Sequence, residues 1–245
     1  MKAAWYEKTG EAQTVLQIGE LDNPVPNKGE VLVQLKTSGI NPSDVKTRAG
    51  ARGELQFPKI IPHSDGAGTI VDVGEGVDKN RIGERVWIWN GAFGRAFGTC
   101  AELISLPEFQ AAKINDSVDL KSAACMGIPA STAYYGIFAN GSVKDKTVLI
   151  SGGAGAVGFY GIQLAKLSGA NVISTISSDE KGEIAREAGA DKVINYKNED
   201  VVEEIMNYTD NKGVDRIFEV EFGGNLSINE KILKSNGVIA CLLYT

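Results

Sequence analysis

Residues 151 to 158 read SGGAGAVG and hold G-x-G-x-x-G at Gly153, Gly155 and Gly158. An apolar strand, KTVLIS, precedes the loop, and apolar residues at helical spacing follow it. That context turns three glycines into a dinucleotide fingerprint. Gly153 permits the tight turn, Gly155 lets backbone approach a pyrophosphate, and Gly158 lets helix pack on strand, while Ala156 and Val157 open a helix whose free N–H groups attract an anion. About 20 residues on, an NAD site places an acid that binds the ribose hydroxyls. Here the positions are Ile176, Ser177 and Ser178, with Lys181 one turn later. No carboxylate stands there to repel a 2′-phosphate, and Lys181 attracts one, so NADPH is expected over NADH. Asp179 is the competing acid, and the helix dipole alone accounts for a carboxylate in a first helical turn.

His63, in IIPHSDGAG, is the only histidine, and Cys100, Cys125 and Cys241 form no C-x-x-C pair. A chain so poor in imidazole and thiol shows no Ser/His/Asp or Cys/His constellation. It also shows no disulfide framework and no thiolate zinc cluster.

Two different grammars must position these groups. Up to about residue 121, short β-branched runs (VLQIGEL, VLVQLKTSGI, GAGTIVDVG, ERVWIW) alternate with turn residues. They predict an antiparallel, partly barrel-like domain. From about residue 146, apolar strands alternate with amphipathic helices ending near Leu167, Ala188, Tyr208 and Leu233, and GVIACLL closes the chain. Repeated βα units predict a parallel sheet with helices on both faces. Five strands are countable where a doubly wound sheet has six. Ser177 and Glu180 read as a capping box, and Gly189 as a left-handed helix stop. Residues 120 to 141, interrupted by Pro129, read as a hinge.

Composition is in the ordinary globular range, with 43% hydrophobic residues and a net charge of -6, and the βα pattern makes the fold class α/β. The scattered Lys and Arg residues give no nucleic-acid footprint. No stretch approaches the roughly 18 apolar residues of a membrane span, and the first residues lack a signal-peptide core. A cytoplasmic location is expected.

Taken together, GINPSDVKTRAG, PHSDGAGTIVDVGEGV, IGERVW, GIPASTAYYG and the glycine loop resemble the zeta-crystallin-like quinone oxidoreductases of the medium-chain dehydrogenase/reductase superfamily. The resemblance implies a GroES-like catalytic domain over residues 1–121 and a Rossmann domain over 122–245, with NADPH between them and no zinc. It implies a place for Asn41 near the nicotinamide, a cofactor contact for Thr132, and a grip on the 2′-phosphate by Lys181 and Tyr196. Lys46 departs from the tyrosines common in relatives and can donate to a developing enolate or quinol oxygen, a solvated lysine being the alternative. Trp89, Phe93 and Phe97 are candidate walls for a planar acceptor, ordinary packing being the alternative. The zinc branch carries a cysteine where Asn41 stands, and a Gly-His-Glu triplet where His63, Ser64 and Asp65 stand. Hydride transfer to a quinone is the implied activity. A C=C reductase acting on enoyl, 2-alkenal or haloacrylate acceptors and a non-catalytic NADPH-binding protein are the alternatives. Relatives extend past this chain into a sixth strand and a return to the catalytic domain. Their homodimerisation is therefore doubtful for this chain.

Overall fold

The computed structural model describes residues 1–242, so Leu243 of the closing GVIACLL run, with Tyr244 and Thr245, lies outside the described residues. The chain forms two compact units, Met1–Ile128 and Pro129–Thr245, divided after Ile128 rather than after residue 121.

The first unit contains β1 (Lys2–Trp5), α1 (Ala12–Val15), β2 (Gln17–Glu20), β3 (Glu30–Gly39), α2 (Pro42–Ala49), β4 (Asp65–Val73), β5 (Arg85–Ile88), β6 (Leu103–Pro107), β7 (Ala111–Lys113) and α3 (Leu120–Ala124). Strands β1 and β2 pair with each other, and the main sheet has the order β6-β3-β4-β5-β7, antiparallel throughout. The period-two alternation of β3 sends Val31 and Val33 inward, against Ile70, Val86, Ile88, Ile104 and Leu106. Each such side chain contributes about 1.5–3 kcal/mol by leaving water. Pairing of β3 with β4 runs to Gly39 opposite Asp65. That register sets the start of α2 beside the start of β4, which is where the site below is built.

The second unit contains α4 (Ser131–Phe138), β8 (Thr147–Ile150), α5 (Ala156–Leu167), β9 (Asn171–Ile176), α6 (Asp179–Glu187), β10 (Lys192–Asn195), α7 (Val201–Tyr208), β11 (Val214–Glu219), α8 (Phe222–Ile232) and β12 (Leu233–Cys241). The sheet is parallel with the order β10-β9-β8-β11-β12. Strand order therefore reverses between β8 and β11, the switch point at which open α/β sheets bind ligands beyond their strand C-termini. Phe218 of β11 is fully buried. A Cβ on Gly136 of α4 would overlap its ring, and one on Gly161 of α5 would stand 3.3 Å from it. Both helices thus reach the sheet over the same aromatic side chain.

One sequence expectation needs correction. The cap of α6 is Ser178, whose hydroxyl accepts from Lys181 N at 3.4 Å; Ser177 lies one residue outside, because β9 runs extended through Ile176. The 120–141 segment is helical and interrupted at Pro129, as expected: α3 ends at Ala124, a π-helical turn spans Met126–Ala130 around Pro129, and α4 follows. Gly189 does follow α6 with φ 106, as a left-handed stop requires.

Arg216 of β11 is 1% exposed. Its guanidinium donates to the carbonyls of Ile137, Asn140 and Gly141. These carbonyls lie at and just beyond the C-terminal end of α4, where a cation meets the negative end of the helix dipole. Burial lowers the arginine's pKa.

Candidate functional site

The glycine loop leaves β8 at Ser151 and enters α5 at Gly155. Gly152 N donates to Thr175 Oγ1 at 3.3 Å, and Gly153 N donates to Thr175 O at 3.2 Å, so the end of β9 fixes the loop. A Cβ on Gly153 would strike Ser174 Oγ, and one on Gly158 would strike Gly152 O. The Ser174 hydroxyl is itself held by Ile150 O at 3.1 Å. Close approach, rather than flexibility, is what these two positions require. Gly155 caps α5 with no side-chain acceptor, and Gly155 and Ala156 are exposed, with Val157 half-buried behind them. A cap without a side-chain oxygen leaves backbone donors of the first turn available to an anion.

Lys181 and Tyr196, the pair expected at the 2′-phosphate, and Ser177 lie at the end of β9. Lys181 Nζ donates to Ser177 Oγ at 2.9 Å. Tyr196 N donates to Ile176 O at 3.2 Å, directly after β10, and the Tyr196 ring is half exposed. Asp179 stands in the first turn of α6, with Asn195 Nδ2 at 3.5 Å from its carboxylate. A cavity of 540 Å³ opens at the carboxyl end of the sheet, lined among others by Ser151, Gly152, Thr175, Tyr196, Val220 and Asn225. Thr132 is half-buried in the first turn of α4.

Glu219 was not among the expected residues. It ends β11 fully buried. One oxygen accepts from Glu221 N at 2.9 Å and Asn225 Nδ2 at 3.0 Å, and the other from Asn229 Nδ2 at 2.9 Å. It therefore ties the first turns of α8 to the switch-point strand. Its signal in the sequence is an acid at the end of an apolar strand, with two asparagines spaced one helical turn apart.

In the first unit, Asn41 caps α2 and is 6% exposed, and Asp65 opens β4 at 1% exposed. Asn41 Nδ2 donates to Asp65 Oδ2 at 2.8 Å, and Ile128 N donates to Asp65 Oδ1 at 2.8 Å. Asn41 N donates to Asp44 Oδ2 at 2.8 Å. Burial drives the Asp65 pKa up to about 6 against the lowering effect of both hydrogen bonds, and the charge of Asp44 adds to the rise. Burial likewise raises Asp44 and lowers His63.

Beside this cluster lies a cavity of 560 Å³ whose wall includes Asp44, Thr47, Phe57, His63, Asn90 and Phe93. Lys46 is exposed, and the α2 residues on the wall are Ser43, Asp44 and Thr47. Of the three aromatic candidates only Phe93 lines this cavity. Trp89 packs on Phe109 at 5.9 Å and donates its indole N–H to Phe109 O at 3.2 Å. Phe97 forms a bridge with Ile61.

A family model described as "Alcohol dehydrogenase GroES-like domain" matches residues 27–147, and one described as "Zinc-binding dehydrogenase" matches 156–242. Quinone oxidoreductase of Rattus norvegicus is 30% identical over 222 residues, 89% of this chain and 66% of the relative. The chain thus spans about two thirds of that relative's length. An alcohol dehydrogenase superfamily protein from Novosphingobium aromaticivorans is 30% identical, with a TM-score of 0.86 over 99% of this chain and 73% of that one. Escherichia coli quinone oxidoreductase, solved complexed with NADPH, is 27% identical, with a TM-score of 0.83 over 98% of this chain and 72% of that one.

The residues at Asp65 do not fit the zinc ion in the second family description. Both Asp65 oxygens are committed to N–H donors, and residue 41 offers a neutral amide, not one of the usual zinc ligands. Among the described residues no group of three or more His, Cys, Asp and Glu could hold a metal ion. None of their helices is long and apolar enough to cross a membrane. With its GroES-like first unit, its switch-point glycine loop and its quinone oxidoreductase relatives, the chain belongs to the medium-chain dehydrogenase/reductase superfamily, among the quinone oxidoreductase-like proteins.

Proposed function

We propose that this chain is a zinc-independent, NADPH-dependent oxidoreductase whose acceptor is a quinone or a related electron-poor carbonyl compound. The observation that carries the cofactor choice is the Lys181–Ser177 pair at the end of β9. It stands where an NAD site needs an acid. Support for the reaction class comes from the quinone oxidoreductase relatives and from the NADPH complex of the Escherichia coli protein.

When bound, the reduced nicotinamide supplies the hydride, and the protein's part is alignment, exclusion of water and stabilisation of charge. The N-terminus of α5 offers backbone donors to the pyrophosphate. Lys181, Ser177 and Tyr196 take the 2′-phosphate, the lysine as a charge and the two hydroxyls as donors. Thr132 is assigned a cofactor contact from the first turn of α4. Asn41, held in one orientation by Asp65, presents a carboxamide to orient a carbonyl. The wall of the 560 Å³ cavity, with Phe57 and Phe93, offers flat apolar faces to a planar acceptor.

Steady-state NADPH oxidation with ortho-quinones, para-quinones and 2-alkenals tests the reading, together with equilibrium titrations of NADPH and NADH. Quinone turnover and a preference for NADPH are expected. Tight NADPH binding with turnover of no acceptor overturns the enzyme reading in favour of a binding protein. Turnover of 2-alkenals alone makes the activity C=C reduction.

A further inference from the structure

His63 has φ 77, a left-handed conformation uncommon outside glycine. Its carbonyl is fixed by Thr99 N at 2.9 Å. On the side-chain side, Nδ1 lies 2.9 Å from Ser38 Oγ, and Ser38 Oγ lies 2.9 Å from Thr99 Oγ1. Thr99 Oγ1 in turn donates to Asp65 O at 2.6 Å. Counting hydrogens orders this chain, because each hydroxyl has one. Thr99 commits its hydrogen to Asp65 O, so the Ser38–Thr99 contact must use the hydrogen of Ser38. His63 Nδ1–H then donates to Ser38. The reverse arrangement would set two bare oxygens against each other at 2.9 Å. The neutral ring is thus the Nδ1–H tautomer, fixed by the partner of its other nitrogen, and Nε2 bears a lone pair. Among the described residues Nε2 has no hydrogen-bond partner, and His63 lines the 560 Å³ cavity.

The ionisable groups on the same wall are Tyr6, Asp44 of α2, Arg52 and Glu54 beyond α2, and Arg95 beyond β5. Burial disfavours the protonated ring, and the charge of Asp44 favours it.

We propose that His63 is a catalytic residue of the acceptor site, delivering a proton from Nε2 to the reduced oxygen of the acceptor. This role rests on the oxidoreductase reading above. As hydride adds two electrons to the acceptor, negative charge develops on its oxygen. The Nε2–H bond of the imidazolium breaks while the new O–H bond forms. The ring is left neutral, already in the tautomer that Ser38 and Thr99 hold. Water at the cavity mouth then re-protonates Nε2, so that acceptor, NADPH and one proton become hydroxyl product and NADP⁺. The same lone pair accepts a hydrogen bond from a hydroxyl product, which extends the ligand class to phenols and quinols.

The test uses the full chain and the His63→Gly variant, since glycine adopts φ 77 without strain. General acid catalysis contributes about 10²–10⁴-fold, so His63→Gly should lower kcat for quinone reduction by about 10²-fold at least. It should also flatten the pH–rate profile, leave NADPH affinity within about twofold, and recover in part with added imidazole. A second readout is independent of turnover: nitrogen NMR of this single-histidine chain should show Nδ1 protonated in the neutral ring. Its Nε2 signal should shift when a non-reducible phenol is added, and Ser38→Ala should abolish the tautomer bias. A neutral ring protonated at Nε2, or a His63→Gly variant with wild-type kcat and pH profile, overturns the proposal. In the latter case quinone turnover by the wild type leaves the oxidoreductase reading standing. A wild type that binds NADPH and reduces no acceptor removes both.

Discussion

Asn41 and Asp65, 24 residues apart, face each other through a single buried hydrogen bond of 2.8 Å from amide to carboxylate. Ile128 N supplies a second donor, and both hydrogen bonds favour the ionised carboxylate against the burial that disfavours it.

Replacing Asn41 with Asp sets two carboxylates against each other in a buried place. Like-charge repulsion and desolvation both raise their pKa values. The variant should lose about 3 kcal/mol of stability at about pH 8. Below about pH 5 it should regain most of that as one proton is taken up. Urea unfolding at the two pH values measures it, and equal losses at both would argue against a charged Asp65 in the folded chain.

The wild type carries a weaker form of the same dependence. Asp65 is raised from 3.8 to about 6, so the folded state binds the proton more tightly than the unfolded state. The contribution of this group to stability is fully present below pH 3.8 and is lost as pH rises through about 6. In Asp65→Asn that dependence disappears, with Asn41 able to turn its amide and accept. Denaturant midpoints at about pH 4 and pH 7 should therefore converge in the variant relative to wild type.

Gly158→Ala tests whether the glycine loop needs close packing. The added methyl strikes Gly152 O, so α5 must move off the loop. Stability should fall by about 1–3 kcal/mol, as for other overpacked sites. NADPH affinity should fall by about tenfold or more, since the donors at the helix N-terminus move as well. Calorimetry with and without cofactor separates the two effects.

Lys181→Ala removes the cation held at Ser177. NADPH affinity should drop about 10- to 100-fold, in line with a charge-assisted hydrogen bond of 1.5–3 kcal/mol, while NADH affinity stays within about twofold. Equal loss for both cofactors would remove the phosphate role from Lys181.

Arg216→Met removes a buried cation and leaves the carbonyls of Ile137 and Asn140 without their donor. The expected cost is about 2 kcal/mol. Hydrogen exchange should show faster opening at the C-terminal end of α4, and exchange unchanged there would mean that water replaces the guanidinium.

What was legible in the sequence follows how local each feature is. The glycine loop and the five βα strands depend on patterns within a few residues, and they stand where the spacing placed them. The cap of α6 moved from Ser177 to Ser178 because strand and helix compete for the same residues, and pattern does not resolve a one-residue boundary. Trp89 looked like an acceptor wall and packs on Phe109 twenty residues away, a contact no local pattern reveals. Arg216 in VDRIFEV sits on a strand that periodicity cannot tell apart from one with a solvent face. Its burial follows from carbonyls more than 70 residues upstream. The hydroxyl chain from His63 through Ser38 and Thr99 to Asp65 joins three separate segments and is visible only in three dimensions.

Phe218, pressed by Gly136 and Gly161 at once, makes the sizes of three positions in three separate elements interdependent. A methyl on Gly136 overlaps the ring and calls for trimming it, and one on Gly161 crowds the same ring from the other helix. Related sequences should therefore exchange bulk among these positions as a set, a larger residue at 136 or 161 accompanied by a smaller one at 218.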